Sequence, residues 1–230
     1  MLCDPARSAQ DADRGLVAKL FQNHHLKRRR VVQPSTPQRS ESFIRQPRFL
    51  IITALVLLAA LCRLVDHGFV NAAPIGAMAL FGGACFRSRK AAFLVPLSAL
   101  LLSDVLLNLT RHSNLWTEAW KLTAFTYVAF LLVVSLGMLL RNRTRSVFAI
   151  AGSSLVGSIV FFVVSNFGWW MTMGFHAPNF AGLTECYVQA LPFFRNTIAS
   201  DLAFNAVLFG CFALAESRIL APRPAVAEVA

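Results

Sequence analysis

The sequence predicts an all-α integral membrane protein: a bundle of six transmembrane helices with both termini in the cytoplasm. Two observations carry this. Six apolar stretches lie between residues 49 and 217, each close to the length of about 20 residues needed to cross a hydrocarbon core. The gaps between them alternate in basic residues. Lys27, Arg28, Arg29, Arg30, Arg39, Arg45 and Arg48 precede the first stretch. Arg87, Arg89 and Lys90 fill the second gap, Arg141, Arg143 and Arg145 the fourth, and Arg218 and Arg223 follow the last. Lysine and arginine stay on the cytoplasmic side of a membrane protein, so the alternation sets the direction of every span. Composition agrees, with 56% hydrophobic residues against about 45–50% in soluble domains.

The elements follow in order. Residues 1–48 are polar and basic, and Ser, Pro, Gln and Arg dominate residues 28–48; such a segment lacks the apolar content of a folded core and reads as a disordered cytoplasmic arm. It has no apolar centre of the kind a signal peptide needs. The transmembrane domain covers residues 49–217. Span one is Phe49–Val65. Span two, Val70–Phe86, is short and rich in Gly and Ala, with Pro74 near its start, and a partly re-entrant segment is its alternative. Span three is Ala91–Leu109, span four Leu122–Leu140, span five Val147–Met171 and span six Phe194–Ala215. Small residues at four-residue spacing, Ala73/Ala77 and Ala79/Gly83 in span two and Gly152 to Ser158 in span five, mark faces where helix backbones approach closely. Ala181–Leu191 is moderately apolar and reads as a short lid helix over the outer end. Residues 218–230 form a cytoplasmic tail.

The net charge of +11 invites a nucleic-acid reading, but 10 of the 22 basic residues fall in the first 48. A basic arm beside a first span anchors to anionic lipid and sets topology. No nucleic-acid motif accompanies it, so the expected partner is the lipid bilayer. The five cysteines, Cys3, Cys62, Cys85, Cys186 and Cys211, make no metal-ligand spacing and read as small apolar filler. No cofactor and no metal is expected. No H-E-x-x-H or G-x-S-x-G pattern is present, and the chain reads as a non-enzyme.

Ionisable groups inside spans are costly and face protein or a water-filled cavity. With the directions given above, they gather in the outer half. Asp104 and Asn108 lie on span three, Asn166 on span five, and Arg195, Asn196, Asp201 and Asn205 on span six. Arg63, His67 and Asn71 stand near the mouth. Asp201 and Asn205 share a helix face, as do Asn196 and Ser200. Asp104 needs a partner, which Arg63 or Arg195 can supply. Two readings remain open: a solute pocket that opens outward, or a polar network that only locks the helices.

Several blocks carry a resemblance: Asn71 to Ala84, Ala92 to Asp104, Ala151 to Ser158, Ser165 to Trp170, and Leu191 to Thr197 with Ser200 and Asp201. Together they resemble a family of uncharacterised bacterial six-span membrane proteins. The plan is also similar to that of the substrate-binding (S) components of energy-coupling-factor transporters, which have six helices, cytoplasmic termini and an outward-facing pocket under outer loops. The chain departs from them in span one, where Ala54, Ala59 and Ala60 do not make the expected Ala-xxx-Ala docking pattern. The resemblance implies a multi-pass protein of the bacterial inner membrane that captures a small, polar, vitamin-like solute. There is no GxxxxGK[ST] in the chain, so the energy would come from a partner ATPase and coupling module. The alternatives are a non-transporting structural or assembly protein and a membrane enzyme acting on lipid or an isoprenoid.

Overall fold

Apolar length determines the elements. In a computed structural model of the chain, the described residues are 46–65, 73–111 and 120–219. Among them are six α-helices: α1 (Pro47–Cys62), α2 (Ile75–Cys85), α3 (Arg89–Arg111), α4 (Trp120–Leu140), α5 (Val147–Met173) and α6 (Phe180–Arg218). A single 3-10 turn, Arg141–Arg143, follows α4. Local chemistry explains several of the ends. Pro47 opens α1, where its missing N–H costs nothing. Ser146 caps α5 by accepting from the Ala149 N–H, and Asn179 caps α6 by accepting from the Gly182 N–H at 2.9 Å. Gly174 ends α5 in the left-handed conformation, with φ of 70°.

Four of these helices, α3 to α6, are long and apolar enough to cross a membrane. The other two are shorter. α1 has 16 residues. α2 has 11, which gives about 16 Å of rise against a hydrocarbon core of about 30 Å. Its Gly-rich sequence suits the place it occupies: ten of the eleven residues are buried, and the chain wraps it on all sides. Phe81 meets the ring edges of Phe209 and Phe212 from α6. Gly83 and Gly137 bring α2 and α4 into backbone contact; a Cβ on either would collide with a main-chain oxygen of the other helix, Val134 or Leu80. α6 differs from the sequence expectation. Ala181–Leu191 is not a separate lid helix but the first turns of a helix of 39 residues that runs through Pro192.

Long-range pairs define one end of the bundle. Arg48 at the start of α1 and Arg145 before α5 both bond Glu216 near the end of α6, at 2.8 and 3.3 Å. Arg141 Nε donates to the Gly83 carbonyl at the end of α2. This is the basic end. The outer surface of the bundle is apolar, with Leu139 81%, Phe148 90% and Phe180 82% exposed, as a lipid-facing surface requires.

Candidate functional site

Asp201 joins three helices. It lies mid-way along α6 and is 2% exposed. Its Oδ1 accepts from the Ala77 N–H at 3.1 Å, and its Oδ2 accepts from the Ser158 hydroxyl of α5 at 2.7 Å. Ala77 is in the first turn of α2, and Pro74 before that turn offers no side-chain cap. The carboxylate therefore caps α2 from a different helix, opposite the positive end of its dipole. Gly76 makes the approach possible: a Cβ there would stand 2.5 and 2.7 Å from the two carboxylate oxygens. One turn further along α6, Asn205 donates to the Ser154 hydroxyl at 2.9 Å. Ser158–Asp201 and Ser154–Asn205 are thus two polar rungs between the antiparallel helices α5 and α6.

Above Asp201 lies a cavity of about 360 Å3, within the usual size of small-molecule sites. Its floor is the start of α2, with Ile75 and Gly76. α4 contributes Leu122 and Thr126. From α5 come Phe161, Phe162, Ser165, Asn166 and Trp169, and from α6 Ala190, Phe194, Thr197 and Asp201. The α6 set steps i, i+4, i+7, i+11, which is one helix face. Phe162 packs on Phe194 with centroids 4.4 Å apart. The α5–α6 turn beside the cavity is fastened by Trp170, whose Nε1–H donates to the Ala177 carbonyl at 3.0 Å. A larger apolar groove of about 880 Å3 runs between α5 and α6 at the basic end, past Ala206, Phe209, Gly210 and Ala213. Its lining also holds Thr144, Arg145, Asn205, Glu216 and Ser217, and Arg145 and Glu216 there pair with each other at 3.3 Å.

The expected site residues do not form one cluster. Asp104 belongs to a second one. Its Oδ1 pairs with Arg63 at 2.7 Å, and Tyr127 donates to its Oδ2 at 2.9 Å. Arg63, at the end of α1, also donates to the Ser103 hydroxyl and to the Leu100 carbonyl. None of these residues lines the cavity above Asp201. Asn166 and Asp201 do line it, although Asn166 spends its Nδ2 on the Phe162 carbonyl of its own helix. Asn205 borders the larger groove instead. Arg195 is exposed and off the cavity-lining face of α6, while Asn108 and Asn196 are half-buried and do not line the cavity. His67 and Asn71 lie outside the described residues. Sequence reasoning missed Thr126, Phe161, Phe162, Phe194 and Thr197. For Phe194 and Thr197 the available signal was the four-and-three spacing back from Asp201 along α6.

An apolar helical bundle with an apolar exterior, four membrane-length helices and buried polar rungs defines a multi-pass membrane protein. Residues 43–225 match the family of unknown function DUF6580, and the chain belongs to that family. No curated protein and no solved structure matches it.

Proposed function

We propose that this chain is a solute-binding transport protein of the bacterial inner membrane. Its basic end faces the cytoplasm, and the cavity above Asp201 faces outward. Six segments build it, with α2 enclosed by the rest and both termini inside. A small polar solute enters beside the α5–α6 turn and is held against Asp201, Asn166, Ser165 and Thr197. As in an S component, reorientation draws on a partner ATPase and coupling module, and the chain itself catalyses no reaction. The observation that carries this reading is a buried carboxylate at the base of a cavity of small-molecule size. For Arg63, Asp104 and Tyr127 the bonds they make to one another favour the other reading, a network that holds helices together.

The test is mass spectrometry of small molecules released from purified protein, beside a Thr197→Trp variant that fills the cavity. A stoichiometric compound present in the wild type and lost from a folded Thr197→Trp protein is the expected result. A wild type that releases nothing, and releases the same nothing when purified from cells fed a mixed vitamin and amine supplement, removes the solute-binding reading.

A further inference from the structure

The charge balance of the cavity above Asp201 deepens the solute-binding reading and rests on it. We infer that the solute is a small organic cation, an amine or a quaternary ammonium on an apolar skeleton. Among the described residues that line the cavity, Asp201 is the one with a formal charge, and no Lys, Arg or His joins it. Of the other described cations, Lys121 is exposed beside the lining residue Leu122, and His176 in the α5–α6 turn faces Glu185 at 3.8 Å. Arg63 is paired with Asp104, Arg195 is exposed off the lining face, and Arg48, Arg141 and Arg145 lie at the opposite end of the bundle.

The start of α2 strengthens the argument. A helix N-terminus is an anion site with roughly half a positive elementary charge. Here the protein's own carboxylate occupies it, through the Ala77 N–H. A solute anion would find that position taken and would meet a like charge. The helix end offsets about half of the Asp201 charge, and the remainder is available to a cation. The walls suit the same ligand. Phe161, Phe162, Trp169 and Phe194 line the cavity, and aromatic rings attract ammonium groups through their quadrupoles.

Asp201→Asn tests the charge with little change in shape. The asparagine Oδ1 still accepts from the Ala77 N–H. Ser158 has a second acceptor within reach, the Ser154 carbonyl at 3.0 Å. Its proton can turn there, leaving the Ser158 oxygen to accept from the asparagine Nδ2. The experiment is calorimetric titration of the protein in lipid nanodiscs, with empty nanodiscs subtracted. The probes are three compounds of one skeleton: 2-phenylethylammonium, 2-phenylethanol and phenylacetate. Saturable binding of the ammonium is expected, about ten-fold or more tighter than the other two, and weakened about ten-fold in Asp201→Asn. Binding of the alcohol should not change in that variant. If the alcohol or phenylacetate binds as well as the ammonium, or if Asp201→Asn binds the ammonium like the wild type, the cation assignment is overturned while the solute pocket stands. If none of the three saturates, the cation assignment is overturned, and the release experiment alone decides the solute pocket. Should Asp201→Asn not fold, Trp169→Leu and Phe194→Leu carry the test. They should weaken the ammonium more than the alcohol, and equal weakening overturns the assignment.

Discussion

Arg63 and Asp104 are both nearly buried, at 10% and 13% side-chain exposure, so removing either strands the other in an apolar setting. Arg63→Ala or Asp104→Ala should each cost about 3–5 kcal/mol, read from denaturant unfolding in detergent. The double change to Met and Leu should recover most of that loss, because it removes both charges together. A much smaller single-mutant cost would show that water reaches the pair. Asp201→Ala differs in kind: it uncaps α2 and opens a hole beside Gly76. A loss of about 0.5–2 kcal/mol follows from the cap alone, and Asp201→Asn, which keeps an acceptor for the Ala77 N–H, should avoid most of that loss. The sequence identified Asp104 and Asp201 as the acids that need explaining, and Arg63 as one of two partners. It did not separate their roles. Both acids sit in the same half of the bundle, and only the packing shows that Asp104 meets a cation while Asp201 meets a helix end.

At the level of elements, the crossing of α2 and α4 is set by two glycines, and its cost can be contrasted with open positions. Gly83→Ala and Gly137→Ala push a methyl group into a main-chain oxygen of the facing helix and should each destabilise by about 1–3 kcal/mol. Gly152→Ala and Gly210→Ala meet nothing within 4 Å and should stabilise slightly, by about 0.5–1 kcal/mol. Thermal unfolding of the four variants in one detergent checks the contrast. Small-residue spacing in the sequence pointed to Gly83 and to the Ser154, Gly157 and Ser158 face, both of which are buried. It could not find Gly137, a single glycine in an otherwise apolar run. Gly152, grouped with that face on spacing, is exposed. The continuity of α6 was hidden by Pro192 and by the polar residues Glu185 and Gln189 before it. Pro192 lies on an exposed stretch of α6, and local adjustment of a membrane helix can absorb the missing N–H of a proline.

At the scale of the whole molecule, the two ends are chemically unlike. Arginines crowd one end, and the cavity opens toward the other. In a variant lacking the native cysteines, Phe175→Cys should react with a membrane-impermeant maleimide on intact spheroplasts. Arg143→Cys should react only after permeabilisation; the reverse pattern would invert the proposed orientation. The helical bundle could be read from the apolar runs, and the spacing of arginines anticipates that Arg48, Arg141 and Arg145 lie at one end of it. The cavity could not, because the ends of four helices contribute to it and no segment contains it. The enclosure of α2 also bears on how the chain is made. At 11 residues it is too short to be threaded into a bilayer as an independent span, so the insertion machinery must deliver it together with a neighbour. Its cap, Asp201, and its aromatic cover, Phe209 and Phe212, belong to α6, more than a hundred residues further along the chain. α2 is therefore sealed only once α6 has been made, and a chain cut short before residue 201 would leave it unsealed, a natural mark for quality control.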